Sequence, residues 1–95
     1  MTSTIKEHLI AARALIDTPE KWMKGAFQEN NCYCVLGAVR SVDWRGGLEV
    51  IGVLRRSLPE YGSVVEFNDD PATTHDDIIS LFDRAIAAQE PSHAG

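Results

Sequence analysis

Near the C-terminal end, Ile78, Leu81, Phe82, Ala85 and Ile86 recur at intervals of three and four, and Asp83, Arg84 and Gln89 fall on the other side. That period places all five apolar residues on one stripe of an α-helix. Whatever else the chain forms must present an apolar face to cover that stripe.

The same period recurs upstream. Ile5, Leu9, Ala12 and Ile16 predict a first helix running to about Asp17, and Thr4 with Glu7 has the spacing of a capping pair. Thr18-Pro19-Glu20 then reads as a stop followed by a short helical turn with Pro19 in its first position, and Trp22 and Met23 face inward. Gln28 to Asn31 is a polar loop, with Asn31 as the expected N-cap of a second helix striped by Cys32, Val35, Leu36, Val39 and Val42. Asp43-Trp44-Arg45-Gly46-Gly47 interrupts the pattern. A third helix follows, striped by Leu48, Ile51, Leu54 and Leu58 and stopped by Pro59. Val64, Val65, Glu66 and Phe67 have the β-branched and aromatic composition of a short strand, expected to pair with Met23 to Phe27. The fold expected is therefore mainly α, a four-helix small domain with at most a short two-stranded β ribbon. One globular domain is expected over residues 1–90 and a flexible polar tail over 91–95.

Ninety-five residues can bury one modest core but not two lobes around a deep cleft. No run approaches the roughly 18 apolar residues of a membrane span. The N-terminus has no basic region followed by an apolar core, so the chain is expected to be soluble, cytoplasmic and free of membrane contacts. The net charge of −5 is unevenly spread: residues 1–58 carry eight Lys and Arg against six Asp and Glu, whereas residues 59–95 carry one against eight. Nucleic-acid binders show the opposite sign, which argues against direct contact with DNA or RNA. Arg40, Arg45, Arg55 and Arg56 are nevertheless able to form a local basic patch.

The stretch from Asn68 to Asp77 reads in two ways. Structurally, Asn68-Asp69-Asp70-Pro71 is turn vocabulary, Thr73 or Thr74 caps a helix starting at His75, and Asp76 and Asp77 sit where the helix dipole favours carboxylates. Functionally, Asn68, Asp69, His75 and Asp76 are the candidates for a small metal-binding or hydrolytic site, the carboxylates holding a divalent ion or His75 acting as general base. The stretch lacks the alternating acids and central glycine of a calcium loop and the paired histidines of a zinc protease. Cys32 and Cys34 read as reduced, buried thiols, since a structural zinc site takes four ligands and a pair one residue apart closes no useful loop. No glycine spacing matches a phosphate loop, and no cofactor is expected.

Several pieces in order, Ala14-Leu15-Ile16, Pro19-Glu20-Lys21-Trp22, Gly25-Ala26-Phe27, Cys34-Val35-Leu36-Gly37-Ala38, Phe67-Asn68-Asp69, Thr74-His75 and Leu81 to Ile86, resemble a family of small uncharacterised domains found in bacteria and their phages. The resemblance implies a fold and a cytoplasmic setting and supplies no catalytic residues. Two features depart from it: the chain is shorter before the cysteine-containing helix, and Cys32 looks like an addition.

The leading expectation is a small acidic domain that works by binding a protein partner or by self-association, as a homodimer or as a phage-type regulator of a host protein. Its charge asymmetry suits steering to a complementary surface. Trp44, Arg45, Arg55 and Arg56 are the expected contact residues, because a tryptophan beside arginine is typical of a protein interface. The rival is the metal-binding protein or hydrolase centred on the Asn68–Asp77 stretch. The balance leans away from an enzyme.

Overall fold

The structure is a computed structural model, and it describes residues 5–25, 28–42, 45, 47–58 and 62–89. The first helix, α1 (Ile5–Leu15), buries His8, Leu9 and Ala12, and Ile16 closes its last turn by donating to the Arg13 carbonyl. The expected Thr4 cap lies outside the described residues. Pro19–Lys21 forms a single 3-10 turn with Pro19 leading it, as the Thr-Pro pair predicts, although the Thr18 side chain makes no capping bond.

Two strands follow where one polar loop is expected. β1 (Gln28–Glu29) and β2 (Cys32–Tyr33) pair antiparallel, Gln28 opposite Tyr33 and Glu29 opposite Cys32. The two residues between them, Asn30 and Asn31, have φ of 51° and 66°. A two-residue hairpin whose central residues both take positive φ is the type that matches strand twist, and asparagine is among the few side chains that tolerate it. Asn31 is therefore a turn residue and not the N-cap of the second helix. The cap has moved to Cys34, whose sulfur accepts from the Gly37 N–H at 3.3 Å while its carbonyl accepts from Ala38 at 2.9 Å. Helix α2 (Val35–Val42) then buries Val35, Gly37, Ala38 and Val39.

Helix α3 (Gly47–Arg56) begins and ends near the expected positions but is rotated relative to the expected stripe. Its buried residues are Gly47, Val50, Val53 and Leu54, with Leu58 beyond it, whereas Leu48 is 87% exposed and Ile51 only partly buried. Pro59, the expected stop, lies outside the described residues.

Residues 64–69, expected to open with a strand, form a helix, α4 (Val64–Asp69). The Ser63 hydroxyl accepts from the Glu66 N–H at 3.1 Å, and the Glu66 carboxylate reaches back to the Gly62 N–H at 3.0 Å. Ser63 and Glu66 have the S-x-x-E spacing of a helix start, and Val64, Phe67 and Asn68 then share one buried face at i, i+3 and i+4. Strand propensity is a statement about fitting a half-buried sheet surface. Within the expected partner segment Met23 donates instead to the Tyr33 carbonyl at 3.0 Å, and Ala26 and Phe27 lie outside the described residues. Among the described residues the fold is thus mainly α, as expected, with four helices of eight or more residues, the six-residue α4 in addition, and a two-stranded β ribbon that joins different residues from those predicted.

Helix α5 (His75–Ala88) agrees with expectation in start, cap and buried face. Thr74 Oγ1 accepts from the Asp77 N–H at 3.2 Å, and the Asp77 carboxylate accepts from the Thr74 N–H at 2.9 Å. Ile78, Leu81, Phe82 and Ala85 are wholly buried. α1 packs against α2 and α5, α2 against α3 and α4, and α3 also against α5. Their joint core holds Leu9, Ile16, Val35, Val39, Leu54 and Phe82 at zero exposure.

The left-handed backbone at Asn31 sets an expectation for the hairpin. Asn31→Gly retains or raises stability, whereas Asn31→Val costs about 1–2 kcal/mol, the usual penalty for a β-branched residue at positive φ. Urea titrations of the two variants against the parent chain measure the difference.

Candidate functional site

The polar stretch of the sequence centres on one side chain. Asn68, on the buried face of α4, is 1% exposed and uses its whole hydrogen-bonding capacity. Its Oδ1 accepts from the Trp22 indole N–H at 2.7 Å and from the Val35 backbone N–H at 3.1 Å. Its Nδ2 donates to the Met23 carbonyl at 3.1 Å and to Asp69 Oδ1 at 2.9 Å. An amide carries two acceptor lone pairs and two N–H groups, so four partners leave nothing for a ligand.

Asp69 extends this network outward by accepting from the Gly25 N–H at 2.9 Å. Gly25 has φ of +85° with open space where a Cβ would stand, so conformation and not crowding requires the glycine. The neighbouring Asp70 orders the following turn, its carboxylate accepting from Ala72 at 2.8 Å and its carbonyl from the Lys24 ammonium, which also lies 5.5 Å from the centre of the Trp22 ring.

His75 joins from the other side of the indole. Its ring centroid is 6.1 Å from that of Trp22, and Nε2 lies 2.7 Å from the Ile16 carbonyl. A carbonyl only accepts, so Nε2 carries a proton and donates it there. Glu20 stands close enough for the ring to act on it: its carboxyl is held below the usual range by a backbone N–H, then by the Thr18 hydroxyl, with a smaller contribution from His75. Asp76 is exposed in the first turn of α5. Of the four residues singled out in this stretch, the fold brings Asn68, Asp69 and, through Trp22, His75 into one chain of contacts. Among the described residues no three His, Cys, Asp or Glu side chains are grouped to hold a metal ion, and no buried side-chain N or O atom lacks a hydrogen-bond partner.

The two thiols part company. Cys32 is half-buried and donates to the Glu20 carbonyl at 3.0 Å. Cys34 is buried at the start of α2, and burial pushes its thiol pKa up, against the backbone N–H groups of Gly37 and Leu36 that pull the other way; the nearby Asp69 charge adds to the rise.

A second feature lies between α2 and α3. Leu36, Gly47, Leu48 and Ile51 line an open groove of about 460 Å³, and Arg40 and Arg45 stand at it. Of the expected contact residues, Arg45 lines this groove. Arg55 instead donates to the Gly62 carbonyl at 3.0 Å, and Arg56 is exposed in the last turn of α3. Trp44 lies outside the described residues. Leu36, Leu48 and Ile51 were legible only as core positions. The signal against that reading was the second apolar set on α3, Val50, Val53 and Leu54, which has helical spacing and takes the core for itself.

Among the described residues no helix is long and apolar enough to cross a membrane. The molecule is a small, mainly helical domain held by a buried asparagine and bearing an open apolar groove. The chain belongs to a family of unknown function, DUF6197, the match covering residues 1–88. No curated protein and no solved structure matches it.

Two measurements follow from the network and the thiols. Asn68→Ala leaves the Trp22 N–H, the Val35 N–H and the Met23 carbonyl without their partner and lowers unfolding free energy by about 3–5 kcal/mol, whereas Trp22→Phe, which removes one donor, costs about 1–2 kcal/mol; chemical denaturation separates the two. For the thiols, alkylation of the folded protein at mildly alkaline pH modifies Cys32 first and spares Cys34 until urea unfolds the chain, as peptide mass spectrometry reads directly. Because the folded thiol of Cys34 binds its proton more tightly than the unfolded one, its contribution to stability is complete below the free thiol's range and is lost as pH rises from there through the higher folded value.

Proposed function

We propose that this chain is a protein-binding domain whose partner docks in the groove between α2 and α3. The observation that carries the reading is Leu48, 87% exposed beside Leu36 and Ile51 on a helix that already buries a complete apolar face elsewhere. Single exposed leucines are ordinary on protein surfaces; an exposed leucine continuous with a half-buried isoleucine and an apolar hollow is a docking surface in form. Arginine beside such a surface supports the same reading, since arginine is enriched at interface cores and lysine and acids are depleted there. The Asn68 network supports it indirectly, because a residue that spends every hydrogen bond on the fold organises structure and offers no contact to a substrate.

Folding and binding are separable at this surface. Leu48→Ser shifts unfolding free energy by no more than about 0.5 kcal/mol, whereas Leu54→Ala, on the buried face of the same helix, costs about 2–5 kcal/mol. A photo-crosslinking side chain in place of Leu48, with one in place of Val65 on α4 as control, is then expected to yield protein adducts, to the chain itself or to a partner, at position 48 alone. Equal adducts at both positions, or none at 48, would reject the groove as the docking surface.

A further inference from the structure

The chemistry of the groove narrows what it takes. Its floor is apolar, Leu36, Leu48 and Ile51, and the two charged side chains lining it, Arg40 and Arg45, are both cations. The groove also lies in the one part of the chain with a net positive charge: residues 35–58 carry four arginines against Asp43 and Glu49, whereas residues 1–34 balance four to four, in a protein whose net charge is −5. Resting on the docking surface proposed above, we infer that its occupant is an acidic peptide segment, an apolar side chain seated on Leu36, Leu48 and Ile51 and flanked by aspartate or glutamate that meets Arg40 and Arg45.

Three physical points favour that occupant. A guanidinium presents five N–H donors in a planar fork matched to a carboxylate, so each arginine, although it also interacts within the chain, retains donors for a ligand. Complementary charge around an apolar anchor gives orientation and speeds encounter, while the anchor supplies residence time. The C-terminal part of the chain, six carboxylates against one basic residue over positions 62–89, repels an acidic segment, and residues 1–34, with four Lys and Arg against four Asp and Glu, offer it no net attraction, which leaves the groove as its favourable landing place. A basic segment would meet the reverse: attraction over the acidic C-terminal third and repulsion at the groove.

The test is selection of short random peptides displayed on phage against the immobilised full chain, with counter-selection on Leu48→Asp to remove those that bind elsewhere. Circular dichroism and thermal melts show beforehand that Leu48→Asp and the double variant Arg40→Glu/Arg45→Glu are folded. The expected survivors carry a large apolar residue with two or more Asp or Glu close to it, bind at least roughly tenfold more weakly to the charge-reversed double variant, and lose affinity as salt is raised. Survivors that depend on Leu48 but are neutral or basic, or that bind the double variant equally well, overturn the inference and leave the docking surface standing. No enrichment over Leu48→Asp overturns the docking surface as well. Self-association of the chain that Leu48→Asp abolishes, and that the selected acidic peptides fail to displace, assigns the groove to a second copy and likewise overturns the inference.

Discussion

The side-chain amide of Asn68 is the constraint on which the other parts of the structure depend. It ties α4 to Trp22 and Met23, which precede the hairpin, and to the first residue of α2, across sequence separations of 46, 45 and 33 residues. None of those three segments makes a long helix or a wide sheet of its own. A six-residue helix and two two-residue strands are far below the length at which local structure is stable in isolation. They hold their places because a buried donor or acceptor without a partner is expensive, and here the partners come from two other segments, Trp22 with Met23 and the start of α2, besides the neighbouring Asp69. The apolar packing of α1, α2, α3 and α5 supplies most of the burial, and the asparagine decides how the irregular third of the chain lies over it.

That division explains how far the sequence was legible. α5 was readable almost residue by residue, because a continuous apolar stripe, a threonine and an aspartate three apart all point to the same structure. α1 and the Pro19 turn were readable for similar reasons. α4 was misread because Val64, Val65 and Phe67 suit a strand by composition, while the information that decides against a strand lies in Ser63 and Glu66. The Asn30-Asn31 turn was misread because asparagine serves equally as helix cap and as left-handed turn residue, and only the chain on both sides distinguishes them.

The two candidate regions differ in the same way. The dense polar chemistry of residues 68–77 drew attention in the sequence, and most of what the structure shows there is fold: Asn68 spent on three segments, Asp69 on Gly25, Asp77 on its own helix cap. Of the groove, Arg40 and Arg45 drew attention but its apolar wall drew none, because leucine and isoleucine at helical spacing are ordinarily core. The set Val50, Val53 and Leu54 shows that α3 carries two overlapping apolar stripes, and which of them turns inward is settled by the helices packed against it.

The indole of Trp22 has a property beyond its part in the network. Its N–H bond to Asn68 spans nearly half the chain, and its ring is bracketed by Lys24 and His75. Helices α1 and α5 can gain their turns by contacts within a few residues, but the indole reaches its buried partner only after the long loop between them has closed, the step that costs most chain entropy and sets the pace of folding in small domains. In a Trp44→Phe background, where Trp22 is the one emitting indole, its emission is thus an intrinsic optical clock for the closing of the topology.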